Sequence, residues 1–265
     1  MSSAPGPTEI YRRSLEEGKR RLGLSSLDKA ATGFIAGVTI VFGIVALGVV
    51  HALVEPRLGA DLADLAGALA FAIGLVFLVV GRSELFTENF FGPVAVAVER
   101  RTRGSWASLA RLWGVILILN LVGGAVLAAI LSVEGALPDG APEALSRVAD
   151  DIVSKSAAAT FARAVAAGAL LTLLSYMLHG CDSIGSRIAV TYMVGFFVAV
   201  GPFDHVVVSA LHLLFGIWMS AHATYGDLGV NLAISTVGNL LGGLLLITLT
   251  HTAQVKGGRT QTGPA

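Results

Sequence analysis

A helix-breaking pentapeptide, Gly201-Pro202-Phe203-Asp204-His205, stands between two apolar runs, 184–200 and 206–219. Neither run alone is a comfortable membrane span, which takes ~20 residues. Proline has no N–H and the residue before it avoids the α region, so a helix stops there. An acid and an imidazole follow directly, at what should be mid-membrane depth. Ionisable groups there are costly and rare, and by default they mark a functional site.

A second interruption, Gly81-Arg82-Ser83-Glu84-Leu85-Phe86-Thr87, divides the run 62–80 from 89–98. Gly81 precedes Glu84 by three residues, as Gly201 precedes Asp204, and the two copies are offset by 120. Asn120-Leu121-Val122-Gly123-Gly124 recurs as Asn239-Leu240-Leu241-Gly242-Gly243 at an offset of 119. Two independent matches at nearly one offset imply an internal duplication. Broken apolar segments at corresponding positions of two halves point to a transport site.

Composition fixes the class. Of 265 residues, 54% are hydrophobic and only 14% charged, and the mean hydropathy is +0.77. A soluble domain carries about 25% charged residues, so the chain reads as a polytopic membrane protein. Its formal net charge of zero gives no sign of nucleic-acid binding. The single cysteine, Cys181, excludes an intrachain disulfide and a multi-cysteine metal site. No nucleophile–base constellation, nucleotide loop or metal cluster is visible, and neither enzymatic activity nor a cofactor is expected. No signal peptide precedes the first apolar run near Ala30, so the first span would serve as the targeting signal.

In order, 1–26 is a cytoplasmic tail with a charged helix at 11–22, 27–132 a first three-helix repeat, and 133–155 an outer connector. A second three-helix repeat covers 156–251, and 252–265 is a polar tail. The charged helix has two readings: its Ile10, Ser14 and Leu15 face rests on lipid headgroups, or the helix is solvated. Lys and Arg concentrate in the N-terminal segment, the 99–104 loop, Arg187 and the tail. The positive-inside rule then puts both termini in the cytoplasm. Three crossings per half make the repeats inverted. The expected fold is an all-α membrane protein of six transmembrane helices, the second and fifth broken.

Glu84-Leu85-Phe86-Thr87-Glu88-Asn89, the Phe203-Asp204-His205 break and Gly238-Asn239-Leu240-Leu241-Gly242-Gly243 resemble the formate/nitrite transporter family. Arg111-Leu112-Trp113-Gly114-Val115 and His251-Thr252-Ala253-Gln254 are closer to a divergent, YfdC-like branch of it. The resemblance runs over about 27–255, and its three motifs are in the right order at the right spans. It implies an aquaporin-like fold, a homopentamer with one pore per protomer, and passage of small monovalent anions of weak acids across a bacterial inner membrane. The implied partners are thus a small anion, the lipid bilayer and further copies of the chain. By position, His205 resembles the family's central pore histidine and Thr87 the threonine of the broken second span. Leu75 and Phe86 resemble the cytoplasmic constriction, Phe71 the opposite one and Lys155 the vestibule lysine. Thr172 and Ser209 stand where well-known members have asparagines, a departure that bears on selectivity.

A bare anion in an apolar constriction costs several kcal/mol or more of desolvation, whereas its neutral acid crosses cheaply. An imidazole with a reference pKa of about 6.5 suits that exchange. The alternative for His205 is a structural histidine bonded to a carbonyl of the broken helix. Thr87 reads as a pore hydroxyl or a helix cap. Glu84 and Asp204 suit contacts to freed backbone N–H groups or to Arg82 and His205, and Arg82 suits a pairing with Glu84 or an interprotomer acid, with a pore cation as its alternative. Arg163 suits snorkelling or a subunit interface, and His212 helix packing or pore-mouth polarity. Asn120 and Asn239 are expected to tie the breaks at Gly81 and Gly201 to neighbouring helices. The rival function is a channel for small neutral solutes, favoured if the two acids face the pore.

Overall fold

The computed structural model describes residues 5–219 and 221–261; the outer ends of the expected tails, 1–4 and 262–265, lie outside the described residues. Helix α1 (Pro7–Leu22) leads into α2 (Ser26–Leu58), α3 (Ala60–Val80), a 3-10 turn (Phe86–Phe90), α4 (Gly92–Arg100) and α5 (Arg103–Leu131). Then come α6 (Ala141–Val153), α7 (Ala157–His179), α8 (Ile184–Val200), α9 (Val206–Trp218) and α10 (Tyr225–Leu241). Helix α10 continues through a π-helical stretch (Gly242–Thr248) into α11 (Leu249–Gln261). Ser25, Thr102, Ser156, Ser183 and Thr224 each accept a first-turn N–H, pairing donors that a helix start leaves free.

Among the described residues, five stretches are long and apolar enough to cross a membrane: α2, α3, α5, α7 and Tyr225–Gly257. Helices α8 and α9 are apolar but have only 17 and 13 residues. The first break is lopsided, since α3 has 21 residues and α4 only 9. Helix α4 starts at Gly92, not at 89, because the 3-10 turn takes up residues 86–90 and Pro93 then opens the helix.

Glycine lets these helices meet backbone to backbone. A methyl group at Gly37 of α2 would collide with the Asn120 carbonyl oxygen of α5, and one at Gly168 of α7 with the Asn239 carbonyl of α10. Gly123 meets the Phe34 carbonyl and Gly242 the Val165 carbonyl in the same way. Large apolar side chains such as Ile73, Phe77, Ile118, Ile130, Met193 and Phe197 remain exposed. Such a belt suits lipid or further protein, not water.

Three segments differ from their sequence reading. The α1 face carrying Ile10 and Ser14 rests on protein, not on headgroups or water: Tyr11, Ser14 and Gly18 are buried, and Gly18 packs directly on the Gly92 backbone. The polar connector contains α6, whose Leu145 and Ala149 are fully buried against α2 and α9. The described part of the C-terminal tail continues the last helix, with Thr252 and Val255 buried.

Backbone packing at these glycines leads to a direct test. Gly37→Ala and Gly168→Ala should each lower the thermal midpoint of the detergent-solubilised protein, at a cost of about 1–3 kcal/mol for overpacking. Gly114→Ala, with open space around it, should leave the midpoint unchanged or slightly higher.

Candidate functional site: two cavities and the wall between them

Both breaks are held by the same device. The Asn120 carbonyl Oδ1 accepts the Phe86 N–H at 2.9 Å, and its Nδ2 donates to the Gly33 and Glu84 carbonyls at 2.8 and 3.0 Å. Asn239 Oδ1 accepts the Val206 N–H at 2.9 Å, and its Nδ2 donates to the Ala164 and Asp204 carbonyls at 2.8 and 3.0 Å. The Glu84 N–H reaches the Thr32 carbonyl and the Asp204 N–H the Arg163 carbonyl, each at 3.4 Å. Gly81 and Gly201 end α3 and α8, and at each a Cβ would crowd a carbonyl of its own helix, Phe77 or Phe197.

The acids beside these ties pair with cations, but not with the partners expected from the sequence. Glu84 takes Arg20 at 2.8 Å and Arg21 at 3.1 Å rather than Arg82, which is exposed in a left-handed conformation. Asp204 takes Lys155 at 2.6 Å and Arg163 at 3.4 Å rather than a backbone N–H or His205. Asparagine supplies the backbone partners, so each carboxylate is left to neutralise the cations packed against it. Arg163 therefore pairs within the chain.

Two cavities approach the breaks. One, of about 490 Å³, lies on the α1 side and is bordered by Arg20, Arg21, Val79, Glu84, Glu88 and Ser175, among others. The other, of about 310 Å³, lies on the α6 side and is bordered by Phe71, Lys155, Asp204, His205, Ser209 and His212, among others. Phe71, Leu75 and Val79 form one stripe of α3: the first borders the α6-side cavity and the last the α1-side one. Leu75, Phe86 and Thr87 are buried and border neither. Phe86 is fixed edge-on against Phe90 and Trp113, with ring centroids 4.9 and 6.5 Å away.

One polar contact crosses this wall. Thr87 Oγ1 lies 2.8 Å from His205 Nε2. His205 also caps α9, its Nδ1 accepting the Val208 N–H at 3.4 Å. Because Nδ1 accepts, the neutral ring carries its proton on Nε2 and donates it to Thr87, which frees the Thr87 hydroxyl proton for another acceptor. Thr87 thus touches a residue of the α6-side cavity, while its chain neighbour Glu88 borders the α1-side cavity. Thr172 sits elsewhere: its hydroxyl donates to the Gly168 carbonyl at 2.7 Å, against Gly243 of the π-helical stretch.

Sequence reasoning passed over Arg20, Arg21 and Glu88. The signal for the arginines was present, since a buried acid at a break requires a cation and α1 carries five of them. His212 was read, as packing or pore-mouth polarity, and it borders the α6-side cavity one turn beyond Ser209.

These features define a polytopic helical membrane protein with two cavities separated by a buried wall that holds one polar pair. A sequence profile described as formate/nitrite transporter matches residues 8–253, so the chain belongs to that family, one of channels and transporters rather than enzymes. It is 23% identical to the inner membrane protein YfdC of Escherichia coli K12 over 93% of this chain and 78% of that protein. It is 31% identical to a probable formate transporter of Methanothermobacter thermautotrophicus over 81% of this chain and 84% of that protein. The fold superposes on a pentameric formate channel with formate bound at a TM-score of 0.74 and 21% identity, covering 86% of this chain and 96% of that one.

The ion pairs of α1 also set a pH window. Burial pushes the Glu17 carboxyl up, but Arg20 and Arg21 outweigh it and hold it at about 2. A depressed carboxylate stabilises docking above its ordinary range and loses that contribution only on acidification toward the depressed value. In a Cys181→Ser background, a cysteine at buried position 14 should therefore be protected to the same degree, relative to a free thiol labelled at the same pH, at all pH between about 5 and 8. Arg21→Gln should speed that labelling at neutral pH, and an unchanged rate would show that these pairs do not hold α1 down.

Proposed function

We propose that the chain is a channel for small monovalent anions of weak acids, of the formate, nitrite or hydrosulfide type, with His205 coupling protonation to passage. The observation that carries this is the 2.8 Å contact of Thr87 with His205 in an apolar wall between two cavities. An anion in the α6-side cavity meets Ser209, His205 and the Lys155–Asp204 pair. The imidazolium form of His205 attracts the anion and hands it a proton; the neutral acid then slips between Phe71, Leu75 and Phe86, with Thr87 as hydroxyl donor. Crossing as the acid avoids the several kcal/mol that a bare anion would cost there.

The matched offsets of the two ties support two inverted three-helix repeats and an aquaporin-like build of six crossings. The Lys/Arg asymmetry supports N-in and C-in placement in a bacterial inner membrane. The likeness to a pentameric formate channel supports a homopentamer, in which part of the exposed apolar belt is covered by further copies. Formate-channel relatives support the anion class. The neutral-solute rival loses its main ground, because Glu84 and Asp204 are neutralised by Arg20, Arg21, Lys155 and Arg163.

Proteoliposome flux of formate and nitrite, with chloride and glycerol as controls, tests the reading. His205→Phe should assemble normally yet lose the pH dependence of anion flux between about pH 5 and 8. Thr87→Val, which keeps shape and removes one hydrogen-bond donor to the permeant species, should slow flux about tenfold or more. A wild-type pH profile in assembled His205→Phe would make His205 a structural cap and return the proton to bulk water.

A further inference from the structure

Glu88 is a buried carboxyl of the first break that neither the asparagine ties nor the Thr87–His205 contact uses. It follows Thr87 in the 3-10 turn, and its side chain is 4% exposed. Its backbone is pinned at both ends: the N–H donates to the Leu85 carbonyl at 3.1 Å, and the carbonyl accepts from Arg21 Nη1 at 3.1 Å and Ser175 Oγ at 3.0 Å. The carboxyl group itself is poorly met. Oε1 has no hydrogen-bond partner among the described residues, and Oε2 lies 3.8 Å from Arg21 Nη2, beyond hydrogen-bond reach.

Charge counting says what such a group does. Arg20 and Arg21 face three carboxylates, Glu17, Glu84 and Glu88. Both arginines pair with Glu17 and with Glu84, at 2.6–3.1 Å, before Glu88 is reached. Two guanidinium groups do not neutralise three carboxylates in a low-dielectric site, and like charges push one of the acids to keep its proton. Glu84 Oε2 also lacks a hydrogen bond but has Arg21 Nε at 3.1 Å, whereas Glu88 has the longest contact and, at Oε1, neither a hydrogen bond nor an ion pair.

The other charged groups around this cavity do not reverse the balance. From α1, Arg13 is engaged by Glu9 and Asp182, and Glu16 is exposed. Arg82 of the break is exposed and Arg187 of α8 half-exposed, so water screens both. His179 of α7 shares its Nδ1 with the Ser175 carbonyl at 2.6 Å, and Cys181 beyond it is uncharged as a thiol.

We infer that Glu88 is the proton carrier of the α1-side cavity, exchanging its proton with a small weak-acid anion at the inner end of the wall. The inference rests on the channel reading for its substrate. An arriving anion takes the proton of the Glu88 carboxyl: the O–H bond breaks, the acid's own O–H or S–H bond forms, and Glu88 is left as a carboxylate facing Arg21. The neutral acid enters the wall past Thr87, and a proton from cavity water restores Glu88. In the opposite direction the emerging acid gives its proton to the Glu88 carboxylate, and its anion leaves among the arginines. Each cavity then ends in a titratable side chain next to Thr87: His205 through its hydrogen bond, Glu88 through the chain.

The test uses the whole protein in right-side-out and inverted membrane vesicles, with formate as the probe. In the preparation that exposes α1, Glu88→Gln should lower formate uptake at about pH 6 by roughly tenfold to a hundredfold and flatten its pH dependence. Uptake from the other face should keep its pH dependence. Infrared spectra should show a protonated-carboxyl C=O stretch at neutral pH in the wild type that Glu88→Gln lacks. An unchanged pH response from the α1 face, or a carboxyl band identical in wild type and Glu88→Gln, overturns the inference. If Glu88→Gln does not assemble, Glu88→Asp should retain the band and the pH dependence with reduced flux, and a flat profile there overturns it equally. A wild-type protein that passes no formate from either face would instead sink the channel reading, while the infrared band would still decide the protonation of Glu88.

Discussion

Two asparagine side chains carry the structure. A chain that breaks its helices inside a membrane frees backbone N–H and C=O groups where no lipid can bond them, at several kcal/mol each. Asn120 and Asn239 each meet two such groups, one N–H and one carbonyl, and donate a further bond to a carbonyl of an intact helix, Gly33 of α2 or Ala164 of α7. That requires the neighbour's backbone to come close, and the glycines at 37, 123, 168 and 242 permit it. Aspartate in either position would keep the acceptor and lose both donations. Leucine would lose all three bonds.

The charges follow from the same arrangement. Because an amide satisfies the backbone, each break can hold an acid free to face a cation. The two halves recruit those cations differently. Asp204 draws on Lys155, just before α7, and on Arg163 within it, so the pair is local to one helix. Glu84 draws on Arg20 and Arg21 of α1, which closes over the α1-side cavity and makes the N-terminal helix part of the site. Buried pairs of this kind add little net stability but are costly to break one partner at a time, which fixes where α1 can sit.

Much of this was legible in the sequence because the motifs recur at nearly one offset. The breaks at Gly81 and Gly201, the Asn-Leu-x-Gly-Gly pairs and the apolar runs all carry local signals, and periodicity alone separates the spans. What sequence did not convey is pairing across the fold. Nothing near Glu84 in the chain names Arg20, which is 64 positions away, and the helix bearing it reads equally well as a lipid-facing amphipath. Helix α6 was missed because its charged face dominates a short connector. Its Gly140-Ala141-Pro142 start and the spacing of Ala141, Leu145, Ala149 and Ile152 did carry the helical signal.

The asparagine ties recur, but the chemistry beside them does not. At the offset of 120 that relates the breaks, His205 corresponds to Leu85, Thr87 to Val207 and Glu88 to Val208. Each copy of the break thus has polar groups where the other is apolar. Repeating the ties anchors both breaks through the same set of hydrogen bonds; the residues that do not repeat distinguish the two cavities. The Thr87–His205 hydrogen bond joins a departure from each half, so neither half alone contains the site. Glu88 extends the first half's departure by one residue toward the α1-side cavity, and Ser209 and His212 extend the second's by one and two turns into the other. A symmetric pair of breaks would offer the permeant species the same surroundings from both faces. The unequal side chains make the two approaches chemically different, with a carboxyl at one and an imidazole at the other.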